Sequence, residues 1–331
     1  MPPIPSKRFV NELVENEKIT EVFLLADKQL RQNRNGNLYL QMRLTDRTGS
    51  VAAMMWNATE KSGQDVQVGD YVRVEGATQV YNGAMQMIAT RVDRVVDDEV
   101  SEADFVRVTA LNTAKLRGEL DELLRSIRTP HLSQLVECFL MDSGLMERFG
   151  RAPAAVKNHH AYVGGLLEHG VSMMRLADLV SGHYPRLDRD ILLVGAFLHD
   201  IGKVDELAYD RELSYTDEGQ LIGHVVMGVQ ILERKLREAE RLAGQPFPGE
   251  LELHLKHLIV SHHGKYEFGS PKLPMTLEAV TLHYLDDLDA KLHWMSQLMD
   301  DDANTDSAWT TFHTNLGRKL FKGFPTEGPA T

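Results

Sequence analysis

Leu198-His199-Asp200-Ile201-Gly202-Lys203 follows the apolar run from Ile191 to Phe197, and the rest of the sequence is organised around it. A His beside an Asp at the end of a buried helix is costly unless something pairs with both, and a metal ion is the usual partner. Residues able to share that ion lie on either side: His169 upstream, then His224, His262, His263 and the stretch Asp286-Asp287-Leu288-Asp289 downstream. Each set falls in a segment with helical apolar spacing, so several helices can point imidazoles and carboxylates into one bundle core.

This order of His, His-Asp, His, His-His and Asp resembles the HD superfamily of metal-dependent phosphohydrolases, and the extra histidines resemble its two-metal branch. A thiolate-free set of imidazoles and carboxylates suits a divalent transition ion, with Mn2+ favoured and Fe2+, Co2+, Ni2+ or Zn2+ as alternatives. Two ions could activate a water and clamp the oxygens of a phosphodiester. Asp200 is then the natural bridge. His169, His199 and Asp286 would complete one ion's set, and His224 with His262 would hold the other, His263 competing for that place. Asp286, Asp287 and Asp289 compete for the distal position. The family pattern, an apolar stretch followed directly by the Asp, aligns with Leu285-Asp286, while Asp287 points about 100° away on a helix and reads as solvated.

Lys203, about one helical turn beyond Asp200, is a candidate to neutralise a phosphate oxygen. His160, near a helix start upstream of His169, is a candidate to face the substrate. His159, His254, His257, His283, His293 and His313 read as ordinary surface groups.

The 331 residues leave room for two domains, and a hydrophobic content of 43% is ordinary for a globular protein. Cys138 is the single cysteine, so neither an intramolecular disulfide nor a thiolate-rich zinc site can form, and a reducing cytoplasm is expected. The first residues, Met1-Pro2-Pro3-Ile4-Pro5, lack the apolar stretch of a signal peptide, and the run at Ile191 is too short to span a bilayer; no membrane partner is expected. A net charge of -12 argues against sequence-blind wrapping of nucleic acid, although acidic residues that hold cations inflate that figure. Most of the acidity belongs to the chain beyond residue 100.

The first hundred residues read as β-structure. Ile19 to Gln32 alternates apolar and polar residues, and Leu38, Leu40, Met42 and Leu44 alternate with Tyr39, Gln41 and Arg43, which places aliphatic and polar sets on opposite faces. Val51 to Trp56 forms a third strand, and a hairpin across Asn82-Gly83 joins the fourth and fifth. Five short strands with a polar interval after the third resemble the OB-fold, a small barrel that commonly binds single-stranded nucleic acid. On that resemblance Tyr39, Gln41 and Arg43, helped by Arg31, Arg34, Trp56 and Arg73, form a stacking and phosphate-contacting face.

The fold expected is therefore an N-terminal all-β OB barrel over 1–98, a linker and helical lead-in over 99–150, an all-α HD bundle over 151–321 and a flexible tail over 322–331. Asn158-His159-His160-Ala161-Tyr162-Val163-Gly164-Gly165-Leu166-Leu167-Glu168-His169 and His283-Tyr284-Leu285-Asp286 resemble the YhaM family of bacterial 3′-5′ exoribonucleases. That resemblance implies manganese-dependent removal of nucleotides from the 3′ end of single-stranded RNA, with single-stranded DNA as a second substrate. A homo-oligomer is compatible with the sequence. Two other readings stay open: a phosphohydrolase of a small nucleotide (a dNTP, cyclic dinucleotide or alarmone) with a regulatory OB module, and a nucleic-acid-binding protein with a vestigial site.

Overall fold

Period-two alternation in the first hundred residues becomes five strands: β1 (Lys18–Gln32), β2 (Leu38–Asp46), β3 (Gly49–Trp56), β4 (Tyr71–Tyr81) and β5 (Ala84–Arg94). A short helix, α1 (Glu60–Gln64), occupies the polar interval between β3 and β4. The computed structural model describes residues 7–33, 35–81, 84–96, 100–101, 104–105, 109, 111–156, 160–209, 213–300, 302, 307–314 and 316–323. Arg34, the Asn82-Gly83 turn, Asn158-His159 and the tail from 324 lie outside the described residues.

The strands close into a barrel in the order β1-β2-β3-β5-β4, with β4 pairing back onto β1. Only β3 and β5 run parallel; the other pairs are antiparallel. The aliphatic face of β2 (Leu40, Met42, Leu44) points inward with Phe23, Leu25, Val51, Val72 and Met87. Asp46 closes the tight β2–β3 connection by accepting from the amides of Thr48 at 2.7 Å and Gly49 at 3.2 Å.

Beyond residue 109 the period changes to that of helices. Asn112 caps α2 (Thr113–Arg125), a proline opens α3 (Pro130–Leu140), and Asp142 caps α4 (Ser143–Arg151). Next come α5 (Gly165–His183), α6 (Arg189–Leu198) and the single turn α7 (Lys203–Glu206). A two-residue hairpin, β6 (Leu207–Ala208) with β7 (Ser214–Tyr215), leads to α8 (Asp217–Ile222), α9 (His224–Ala243), α10 (Gly249–Ser261) and α11 (Leu277–Asp300). By their contacts the residues fall into two compact units, Met1–Val108 with Tyr209–Leu213, and Thr109–Ala208 with Ser214–Thr331. Thus α2, α3 and α4 belong to the helical unit, where α2 packs on α5 and α3 on α9.

α6 is apolar nearly all round because it runs through the middle of the bundle, against α5, α10 and α11. Phe197 meets Phe139 and Phe149 edge to face at 5.4 and 5.3 Å, and all three rings are fully buried. Among the described residues no helix is long and apolar enough to cross a membrane.

One buried carboxylate ties the start of α6 to the turn before α3. Asp190 accepts from the amides of Arg128 (2.9 Å) and Thr129 (2.7 Å) and from the Thr129 hydroxyl (2.9 Å). Burial acts to raise its pKa, yet these hydrogen bonds hold the carboxyl below the usual carboxylate range. Asp190→Ala should therefore cost ~1–3 kcal/mol in urea unfolding at neutral pH, since two backbone amides lose their acceptor. Because the folded pKa is the lower one, the stabilisation is present above the ordinary value of 3.8, and the gap between variant and parent should narrow as pH falls below it.

Candidate functional site

The turn after α6 is built by His199-Asp200-Ile201-Gly202. α6 ends at Leu198, and His199, Asp200 and Ile201 are each at most 4% exposed. Gly202 lies so close to the first turn of α9 that a Cβ there would sit 2.0 Å from the His224 carbonyl oxygen and 2.7 Å from the Gly228 amide nitrogen. Only glycine lets the His-Asp turn touch the helix that starts at His224, so this one position brings two parts of the site together. Gly165, at the start of α5, plays a similar part: its Cβ would fall 2.1 Å from the His160 carbonyl oxygen.

Each of four imidazoles is held by its Nδ1. His199 donates to the Ala196 carbonyl at 2.9 Å and His262 to the Ile259 carbonyl at 2.7 Å. His169 Nδ1 meets Asp289 at 2.8 Å, and His224 Nδ1 meets Glu206 at 3.0 Å. Carbonyls can only accept, and both carboxyls are held low against the opposing effect of burial, Glu206 by His224 and Asp289 by His160 and then His169. Each ring therefore turns its Nε2 inward, and in the tautomer that serves a metal the proton would sit on Nδ1.

Those inward atoms converge on Asp200. Its Oδ2 lies 3.4 Å from His199 Nε2 and 3.8 Å from His169 Nε2, while its Oδ1 lies 3.5 Å from His224 Nε2 and 3.6 Å from His262 Nε2. Asp286 Oδ1 adds a second carboxylate 3.3 Å from His169 Nε2. Asp200 Oδ1, His224 Nε2, His262 Nε2 and His263 Nδ1 are buried without a hydrogen-bond partner among the described residues. Buried donor atoms aimed at one another without protons between them are expensive, and a divalent cation is the group that fits this set.

The electrostatics agree. Burial would raise the Asp200 carboxyl, but Lys203, with its Nζ 2.6 Å away, and then His199 pull it well below the usual range. Burial opposes charge on His169, yet hydrogen bonds to Asp286 and Asp289 carry its pKa up to about 10, so this side of the cluster attracts positive charge. Burial pushes His262 and His263 down, which keeps both imidazoles neutral and available as ligands.

A cavity of about 300 Å³ adjoins the cluster, lined among others by Asp200, Lys203, His224, His262, His263 and Asp286. His160 does not line it. This residue sits on the far side of His169, stacked on His293 with ring centres 3.7 Å apart and its Nε2 3.4 Å from Asp289, beside a second cavity of about 280 Å³. Asp287 also lines the larger cavity, with its carboxylate paired to Lys291 at 2.6 Å.

Glu206 and Asp289, which orient His224 and His169, went unread as orienting groups. A signal existed for Asp289: three residues after Asp286, it shares a helix face with it. His283 and His293 are not the ordinary surface groups that the sequence suggested. His283 lines the larger cavity and donates to the His262 carbonyl at 2.9 Å, and His293 is half-buried against His160.

On the barrel, three strands align the expected binding residues. Arg31, Tyr39 and Trp56 form one cross-strand row, with Tyr39 and Trp56 rings 5.3 Å apart and Trp56 half-exposed. Gln41 and Arg43 follow on the same exposed face of β2. Arg73 is not brought to this row; it lies on β4, opposite Val22 and Asp93.

A helical bundle presenting His, His-Asp and distal Asp to one buried cluster defines an HD domain, and residues 166–291 match the HD domain family, which implies divalent-metal binding. Residues 25–95 match the family described as OB-fold nucleic acid binding domain. The chain as a whole belongs to the YhaM family of 3′-5′ exoribonucleases. It is 35% identical over 285 residues to the 3′-5′ exoribonuclease YhaM of Bacillus subtilis, covering 86% of this chain and 88% of the relative. The YhaM proteins of Bacillus pumilus (36% over 267 residues, 80% and 82% covered) and Listeria innocua (34% over 281 residues, 84% and 87% covered) agree. A solved OB-fold domain of replication protein A from Methanococcus maripaludis aligns at 20% identity with 27% of this chain and 94% of its own, at a TM-score of 0.23.

The closeness at Gly202 gives a test. Gly202→Ala should displace His224 and lower Mn2+ affinity, measured by titration calorimetry, by about 10-fold to 100-fold, the usual cost of disturbing a ligand's support. Parental affinity would show that the turn accepts a methyl group.

Proposed function

We propose that the chain is a divalent-metal-dependent exonuclease that shortens single-stranded RNA from its 3′ end, with single-stranded DNA as a second substrate. The observation that carries this reading is the division of Asp200, one oxygen toward His169 and His199 and the other toward His224 and His262. That division suits two ions with Asp200 between them: His169, His199 and Asp286 for the first, and His224, His262 and His263 for the second. Mn2+ is the preferred ion, ahead of Fe2+, Co2+, Ni2+ and Zn2+. When bound, such ions lower the pKa of a water and offset charge on phosphodiester oxygens.

The chain's own residues do the rest. Asp289 and Glu206 fix the tautomers of His169 and His224. His160 steadies Asp289 from behind. Lys203 keeps Asp200 ionised and supplies a cation for the phosphate as negative charge builds. Attack of water on the last phosphodiester breaks the P–O3′ bond, leaving a 3′-hydroxyl on the shortened strand and a 5′-phosphate on the released nucleotide. The barrel, residues 1–98, grips the strand and the bundle, residues 151–321, hydrolyses it. A single buried cysteine, Cys138, fits a cytoplasmic setting.

A 5′-labelled single-stranded RNA incubated with the protein and Mn2+ should shorten stepwise, and chelation should stop it. Hydrolysis confined to free nucleotides in a parallel panel would overturn the proposal. Asp200→Asn should abolish cleavage with the fold retained by circular dichroism. Asp286→Ala should lose Mn2+ and activity together, whereas Asp287→Ala should be mild; the reverse order would move the distal ligand.

The barrel's role has its own test. Tyr39→Ala with Arg43→Ala should weaken binding of long single strands by roughly 5-fold to 150-fold, the worth of one stacking platform, and flatten the salt dependence. Dinucleotide cleavage should barely change. Equal loss on both substrates would assign these residues to folding instead.

A further inference from the structure

The cavity of about 300 Å³ is two-natured. One part carries the imidazoles, carboxylates and Lys203 described above; the remainder is lined by Tyr215, Phe268, Leu207 and small alanines, Ala154 and Ala155. Its volume is at the low end of the ~300–1,000 Å³ range of ligand pockets, room for one nucleotide and little more. Polar groups that handle a phosphate beside an apolar aromatic wall match the two ends of a nucleotide.

The two rings stand where no core requires them. Tyr215 is 47% exposed and Phe268 57% exposed. Tyr215 belongs to β7 and pairs with Leu207, which follows directly on Glu206, the residue that orients His224. Phe268 ends the short 3-10 turn Tyr266–Phe268, a few residues after His262 and His263, and Gly269 with φ of 82° turns the chain away behind it. Lys265 Nζ lies 5.2 Å from the Phe268 ring centre and restrains it. Each ring is thus tied by its own short segment to the half of the cluster that holds His224, His262 and His263.

We infer that Tyr215 and Phe268 form a stacking wall for the base of the 3′-terminal nucleotide. The inference rests on the exonuclease reading and adds to it which residues hold the departing unit. A ring face offers no donor or acceptor pattern, so the wall accepts every base, and purines bind more tightly than pyrimidines because they cover more of it.

The test is equilibrium binding to the full-length, Mn2+-loaded protein of two probes, adenosine 5′-monophosphate and ribose 5-phosphate, which share the phosphate and sugar and differ in the base. The parent should prefer adenosine 5′-monophosphate. Phe268→Ala and Tyr215→Ala should each weaken it by about 5-fold to 150-fold, with ribose 5-phosphate affinity unchanged as the control for folding and ion loading. Phe268→Trp should restore the preference. Equal affinity of the parent for both probes, a preference unaltered in the alanine variants, or equal loss for both probes would each overturn the inference. RNA shortening is measured separately, so an inactive parent that still prefers adenosine 5′-monophosphate would refute the exonuclease reading and leave the wall standing.

Discussion

Imidazoles can be buried face to face only if something decides which nitrogen of each keeps the proton. Here that decision is made from outside the cluster, by the carbonyls of Ala196 and Ile259 and the carboxylates of Asp289 and Glu206. Each is supplied by a different stretch of chain, so the bundle exists as much to hold these acceptors as to surround the inner donors. His169 and His199 Nε2 are held 3.1 Å apart, a spacing that needs a proton or a cation between them. The apolar packing of Phe139, Phe149 and Phe197 behind them supplies the stiffness that keeps such an arrangement from relaxing.

The barrel is ordered by a simpler constraint. Its strands alternate, so one face of β2 fills the core and the other is free to carry chemistry, and pairing with β1 and β3 turns scattered residues into a row. Nothing in that face depends on unusual geometry, in contrast with the turn at Gly202.

How much could be read in advance follows from the range over which each residue acts. The strands and the His-Asp motif were legible because their signals are local: a period of two, or two adjacent polar residues after an apolar run. Asp200, His169, His199, His224, His262 and Asp286 are brought together as their order along the chain suggested. Glu206 and Asp289 were not legible as orienting groups because they act on the outer nitrogen of a distant ring, and a carboxylate near a helix end looks like any solvated one. His293 escaped for the same reason, since only the positive-φ turn at His160 brings that ring onto it. The OB-fold resemblance put Arg73 with the stacking face, but β4 pairs with β1 and β5 whereas β2 pairs with β1 and β3, and register along the barrel decides neighbours in a way that residue type cannot.

Asp200 belongs to both halves of the cluster, with one oxygen turned toward each. Charge placed on either side changes what the same carboxylate can offer to the other, so the two halves are not independent receptors. Thermodynamic linkage makes the relation mutual: whatever factor filling the first half applies to the affinity of the second, filling the second must apply to the first. Were both halves to take an ion, as proposed, a single side chain would make occupancy a collective property of the cluster, coupling the two halves through one carboxylate rather than by communication between distant sites.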